Sequence, residues 1–370
     1  MKLDIAALRL HNQHVLQRDF THPADVVSWL GAVQAQDYAG AKWALGLRID
    51  GLTDPDVDRA FADGSLLRTH LLRPTWHFVA PADIRWMLAL TGPRVHAVNA
   101  TINRQFEVDK ATIRKSYRVL EKSLRDHKYL KRDEIASALD AAGIQAKGVR
   151  LAYIVMSAEL DALICSGPRR GRQFTYALLE ERAPQARELT REEALAELVK
   201  RYFQSHGPAT PQDFCVWSGL TLADAKNGIE AVKSEFVSEA INGQVYWFRE
   251  MKPVKLKSPL AHLLPNYDEY FIGFKDRSAI SQALRGSEID QNDPAFLAHI
   301  LILDGQVIGG WKRTLKKDKV LVDITLLTRL SQAQKRAVQR AAELFGTFLQ
   351  LPITLSYKEF DREQRTSRSF

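Results

Sequence analysis

Gln34, Ala35, Gln36, Asp37 and Tyr38 set two neutral carboxamides at i and i+2 beside a carboxylate and a phenol. Residues two apart share one side of extended backbone but not of a helix, so the amides form one site only where the chain is extended. A glutamine is not a useful general base, because its amide oxygen hardly binds a proton near neutral pH; it positions water and stabilises positive charge. Its bland alternative is a pair of solvated surface amides, and Asp37, the direct neighbour of Gln36, can equally point away. A second group, His70 and His77, flanks Arg73-Pro74-Thr75-Trp76 in an expected hairpin. There an imidazole is either a neighbour of the site or a hydrogen-bonded core residue.

The apolar positions Val26, Val27, Leu30 and Val33 keep helical spacing, so a helix from Pro23 must end near Val33 for the amides to act together. Helices are also expected near Asp4 to Arg18 and near Ala39, with Leu66 to Val79 as a hairpin. The clearest pattern begins at Thr190, which with Glu193 makes a capping box ahead of Leu195, Leu198, Val199, Tyr202 and Phe203. Thr210-Pro211 opens a second helix ended by Gly219, and Thr221 opens a third. Phe236 to Ile241, Asn242-Gly243 and Gln244 to Phe248 read as a hairpin on a primed turn. Three helices and a hairpin is the order of a winged helix. The same order recurs upstream, with a helix striped by Ile113, Tyr117, Leu120 and Leu124, others over Arg132 to Ala142 and Val149 to Leu163, and a hairpin tipped by Gly167 to Arg172.

From Lys252 the composition turns toward strands: Ala261 to Leu264, Tyr270 to Phe274, Ala298 to Leu303, Gln306 to Trp311, Val320 to Thr325 and Leu355 to Phe360. One helix, capped by Ser331 and Gln334, interrupts them. The expected fold is α+β: winged-helix modules over 1–108, 109–187 and 188–251, then a β-rich domain over 252–370 built as a small mixed sheet or partial barrel. Trp76, Trp86, Trp217, Trp247 and Trp311 are expected in cores, and Asp268 and Arg277 form an ion pair or belong to a site.

The chain has 370 residues with 52 Lys plus Arg against 44 Asp plus Glu, a net charge of +8 that favours a polyanionic partner. Cys165 and Cys215 lie far apart, so neither a disulfide framework nor a zinc site is expected. No window resembles a membrane span, Met1 to Asp4 does not resemble a secretory leader, and a cytoplasmic monomer without a membrane partner is expected. The polar tail from Asp361 to Ser369 is expected to be disordered. A Walker loop, a dinucleotide glycine fingerprint, His-Glu-x-x-His and a nucleophile elbow are all missing, so no nucleotide cofactor and no metal are expected. Arg169, Arg170 and Arg172 on the glycine-flanked turn are expected to contact phosphate, three contacts giving a log-log salt slope of about −2.7 on B-DNA. Lys312, Arg313, Lys316 and Lys317 on a second hairpin, diluted by Asp318, are a further candidate patch. For both, a solvated turn is the alternative.

Tandem winged helices, Gln34-Ala35-Gln36, Arg73 to His77, Leu264 to Asp268, Asp276-Arg277 and Gly309 to Trp311 give the chain a likeness over nearly its full length. It resembles the AlkZ/YcaQ superfamily of bacterial DNA glycosylases. That family's signature is Gln, an apolar residue, then Gln in one branch or Asp in the other, and this sequence matches the AlkZ-like branch. The resemblance implies catalysis by Gln34 and Gln36, a C-shaped basic cleft, and excision of N7-alkylated purines from duplex DNA, crosslinked ones included. The chemistry agrees. Hydrolysis of an unmodified N-glycosidic bond calls for an acid and a carboxylate, whereas an N7-alkylated purine is already cationic and leaves unaided. Two amide oxygens aimed at the water and the sugar cation then contribute roughly 10² to 10³ in rate, in a monofunctional enzyme whose nucleophile is water. Two other classes stay open on the residues: a winged-helix DNA-binding regulator without catalysis, and a protein-interaction scaffold.

Overall fold

The computed structural model describes residues 3–282 and 299–359. Ala298, Phe360 and the tail from Asp361 to Ser369 lie outside the described residues. The first segment holds α1 (Ile5–Asn12), α2 (Pro23–Leu30), β1 (Val33–Gln34), α3 (Tyr38–Gly46), α4 (Asp54–Asp63), β2 (Leu67–Leu71) and β3 (Thr75–Val79). Helix α2 stops at Leu30, before Val33, because Gly31 takes φ 85° and turns the chain into β1. Helix α1 likewise ends at Asn12 rather than near Arg18, with His14 and Arg18 both at positive φ. Gln34 therefore ends a short strand, and Gln36 follows it in a bend.

Next come α5 (Ile84–Gln105), α6 (Lys110–Leu124), β4 (Leu130–Lys131), α7 (Arg132–Ala141), α8 (Gly148–Leu160), β5 (Ile164–Arg170), β6 (Gln173–Leu178) and the single turn α9 (Leu179–Arg182). Helices α6 to α8 followed by the β5–β6 hairpin keep the expected order. The third set is α10 (Arg191–His206), α11 (Pro211–Ser218), α12 (Leu222–Val232), β7 (Val237–Ile241) and β8 (Gln244–Phe248). Thr190, Thr210 and Thr221 each close a capping box, supplying acceptors to first-turn N–H groups that have no helical partner. Asn242 and Gly243 both take positive φ, the geometry a primed two-residue turn needs.

The remainder holds β9 (Ala261–Leu264), α13 (Glu269–Ile272), β10 (Ile300–Leu303), β11 (Gln306–Leu315), β12 (Val320–Leu326), α14 (Gln332–Leu349) and β13 (Ile353–Glu359). Tyr270 to Phe274, expected as a strand, is helical turn instead: Asp268 accepts the Tyr270 N–H and caps it, so a local hydrogen bond overrides the β preference of the aromatic run. The five strands form an open sheet in the order β13-β12-β11-β10-β9, with β13 parallel to β12 and the rest antiparallel. It is not a barrel. The parallel β12–β13 step comes through the crossover helix α14, which leaves β13 and β9 at opposite edges.

The cores cross sequence segments. Trp43 of α3 stacks on Phe345 and Phe348 of α14 and donates its indole N–H to Leu263 O at 2.7 Å, joining the first helices to the C-terminal sheet. A second core packs β2, β3 and α5 against α10 to α12, and a third fills the space among α6, α7, α8 and the β5–β6 hairpin. Trp86, Trp217 and Trp311 are buried in these cores, as expected. Among the described residues, no helix is long and apolar enough to cross a membrane.

Asp268 does not pair with Arg277. It takes Arg48 bidentately at 2.9 and 3.0 Å, both side chains fully buried, while Arg48 also holds Ala44 O, Gln13 O and Gln13 Oε1. Arg277 instead donates to Phe271 O and lies over the Phe271 ring. Removing one partner of such a pair strands the other charge away from water at a cost of about 3–5 kcal/mol. Asp268→Ala is therefore expected to lower the urea unfolding midpoint followed by tryptophan fluorescence; an unchanged midpoint sinks this account.

Candidate active site around the paired glutamines

Strand β1 is an edge strand, in a sheet of order β1-β3-β2, and pairs antiparallel to β3 with Gln34 opposite His77. Val33 and Ala35 are fully buried in the core; Gln34, the last residue of β1, is on the face of its pair partner His77, and Gln36 follows the strand in a bend, where it lines a cavity with Trp76 and His70. Gln34 is 7 % exposed, and Gln36 is open to solvent.

Both amides are held by the turn that joins β2 to β3. Arg73 Nη2 donates to Gln34 Oε1 at 3.0 Å, and because a guanidinium only donates, the carbonyl end of that amide must face it. The Trp76 N–H donates to Gln36 Oε1 at 3.4 Å, a long contact. The main chain explains that contact. Ala35 N–H donates to Trp76 O at 2.7 Å, and in a regular antiparallel pair Trp76 N–H would return a bond to Ala35 O. Here Arg68 Nε takes Ala35 O at 3.0 Å, and the Gln36 amide takes the freed Trp76 N–H. On the outer edge, Gln34 N–H donates at 3.1 Å to Glu269, whose other oxygen accepts from the Trp217 indole at 2.9 Å.

Asp37 is an N-cap: its carboxylate accepts the Gly40 N–H at 3.1 Å, and Arg313 Nη2 approaches it at 3.6 Å. Tyr38 packs against Phe61, Phe78 and Phe174 and donates to Asp58 at 2.8 Å; burial and that carboxylate push its phenol above the ordinary value. It is a neutral packing residue. His77 is buried, donates from Nδ1 to Thr75 O at 2.9 Å, and is pulled down to about 3 by burial and by the Arg73 guanidinium, so it is neutral at physiological pH. His70 is buried on the neighbouring strand with Nδ1 on Glu159 at 2.5 Å. Trp76, expected in a core, instead lines a cavity of about 180 Å³ with Gln36 and His70.

The basic residues divide. Arg170 is locked bidentately onto Glu134 and also donates to Tyr129 O at 3.0 Å. Arg169 lies over the rings of Tyr38 and Phe174, 3.8 Å from Asp58. Arg172, Lys312, Lys316 and Lys317 are exposed without an ion-pair partner among the described residues. Among the described residues, no cluster of three or more His, Cys, Asp or Glu is placed to hold a metal.

Arg73, Arg68 and Glu269, which orient the motif, had no role in the sequence reading. Arg73 and Glu269 lie inside segments whose pattern is distinctive; Arg68 carries no such signal, because its partner is a backbone carbonyl.

The family model for "DNA glycosylase AlkZ-like" matches residues 27–348. A curated relative, the interstrand DNA cross-link repair glycosylase of Streptomyces sahachiroi, is 23% identical over 329 residues, spanning 83% of this chain and 86% of its own. The solved structure of Streptomyces sahachiroi DNA glycosylase AlkZ superposes with a TM-score of 0.77 at 20% identity, over 96% of this chain and 100% of that one. The chain belongs to the AlkZ-like family of DNA glycosylases, hydrolases of N-glycosyl bonds.

Proposed function

We propose that this chain excises N7-alkylated, cationic purines from duplex DNA, interstrand crosslinks among them, with water as the nucleophile. One observation carries the reading: two amides stand at the end of β1, Gln34 held by Arg73 and Gln36 by the Trp76 N–H, and the acids beside them are already committed. Asp37 caps a helix and Glu269 binds the outer edge of the strand, so neither carboxylate is free to meet the substrate. Such a site offers little to an unmodified purine, whose departure needs a proton. It suits a lesion that carries its own charge. The likeness to a cross-link repair glycosylase supports extending the substrate to crosslinked purines.

In this mechanism Gln36, the more exposed amide, orients the water, and Gln34 turns its second carbonyl lone pair toward the sugar as positive charge grows there. The helical modules act as winged helices around a C-shaped basic cleft, in the division 1–108, 109–187, 188–251 and 252–370. Arg172 and the lysines of the β11–β12 hairpin grip phosphate, and Arg169 stiffens the wall beside Tyr38.

Replacing both glutamines by alanine is expected to lower release of N7-methylguanine from methylated duplex by roughly 10² to 10³ while leaving affinity for undamaged duplex nearly unchanged. Release at the wild-type rate overturns the assignment, and a sequence-specific footprint without any release points to a regulator. The wing makes a separate prediction from the salt dependence of duplex affinity. Arg172→Ala should reduce the log-log slope by about 0.9, one phosphate contact, whereas Arg170→Ala should leave it nearly unchanged because Glu134 already neutralises that guanidinium. Equal reductions from the two variants contradict this division of labour.

A further inference from the structure

His70 and Glu159 form a buried acid–imidazole pair that no step above uses. His70 lies on β2 and Glu159 on α8, 89 residues apart in sequence, and Nδ1 meets Oε2 at 2.5 Å. Burying a carboxylate and an imidazole together is costly unless their geometry is good and their remaining polar atoms find partners. The ring is held in place: it lies tilted against Trp76, ring centroids 4.3 Å apart, and Trp76 is the residue whose N–H binds Gln36. His70, Trp76 and Gln36 all line the same cavity of about 180 Å³. The space admits water and is smaller than pockets built for whole ligands. When Nδ1–H donates to Glu159, Nε2 carries the free lone pair, and among the described residues it has no hydrogen-bond partner.

We propose that His70, held in that tautomer by Glu159, is a further catalytic residue: its Nε2 accepts the proton of the water that Gln36 orients. This rests on the glycosylase reading above. The water oxygen bonds to C1′ as the C1′–N9 bond breaks, and the electron pair of that bond goes to the cationic purine, which leaves neutral. The water's proton passes to Nε2 and later to solvent. Glu159 supports the imidazolium that forms, as a buried carboxylate does in hydrolytic triads. Trp76 fixes the ring plane. The other titratable or charged groups around His70 are Arg68 on its own strand, His77 on β3, Cys165 on β5, Tyr176 on β6 and Arg132 on α7 across the cavity.

The test is single-turnover release of N7-methylguanine from duplex across pH 5 to 9, for the wild type, His70→Gln and Glu159→Gln. Because the N7-methylated guanine itself loses its N1 proton near neutral pH, each profile is divided by that of uncatalysed release from the same duplex; His77, pulled down to about 3, titrates outside the window. The wild-type rate is expected to fall on the acid side through one ionisation. His70→Gln should lower the plateau by about 10²-fold and flatten the profile. Glu159→Gln, which frees the ring to take the other tautomer, should lower the plateau as well. Thermal unfolding and affinity for undamaged duplex identify a folding defect, and the wild-type profile needs no variant. A flat wild-type profile, or a folded His70→Gln variant with wild-type rate and profile, overturns this inference and leaves the glycosylase reading intact; no release by the wild type at any pH overturns both.

Discussion

The carboxylate of Glu269 is the point on which the site depends. It is 1 % exposed, yet it binds the Gln34 N–H, the Trp217 indole and, at 3.4 Å, His206 Nε2, so one side chain ties β1, α10 and α11 to the start of α13. A buried carboxylate persists only where hydrogen bonds and nearby positive charge replace its water. Arg73 supplies part of that charge from the other side of the strand, and the same guanidinium fixes Gln34. The motif is thus clamped front and back by groups of opposite sign. The next acid in the chain, Asp268, anchors the same turn to Arg48 and the first helices.

The electrostatics have a consistent logic. A chain of net charge +8 attracts phosphate at long range, but the same field opposes a cationic base at short range. His77 and the Tyr38 phenol are held neutral by burial, whereas the Arg73 guanidinium stands 3.0 Å from Gln34 and Arg132 lines the cavity beside Gln36. Arg170, the wing residue that would add to this positive charge, is cancelled by Glu134.

How much of this was legible in the sequence follows from the range of the signals. Helices α10 to α12 and the β7–β8 hairpin were readable because each is announced locally, by Thr190, Thr210 and Thr221 caps and by Asn242-Gly243. Helices α4 and α5 were not. Asp54–Asp63 is short and polar, and Pro93 within Ile84–Gln105 reads as a breaker although the 22-residue helix runs through it. The strand assigned over Tyr270 to Phe274 failed because one cap outweighed an aromatic run. Pairing was least visible: Gln34 meets a residue 235 positions away, and His70 one 89 away, and no periodicity encodes such distances. The glutamines stood out by type and spacing alone, and the structure puts Gln34 at the end of β1 and Gln36 in the bend that follows.

The way β1 ends explains why the motif has this spacing. An edge strand must do something with its outward N–H groups, and Gln34 N–H is given to Glu269. On the inner side, the pairing of Ala35 with Trp76 is half backbone and half side chain: Arg68 has taken the Ala35 carbonyl, and the Gln36 amide answers Trp76 in its place. A third ladder residue would point its side chain away without such a restraint. Stopping the ladder at Ala35 makes the Gln36 rotamer part of the strand's own hydrogen bonding, and Asp37 then turns the chain into α3. The small Ala35 between the amides fits the same geometry, because its side chain must enter the core while its carbonyl stays within reach of Arg68. Amide, small apolar residue, amide and cap are therefore successive steps of one strand termination, and the site's preorganisation is the hydrogen bonding that ends the strand.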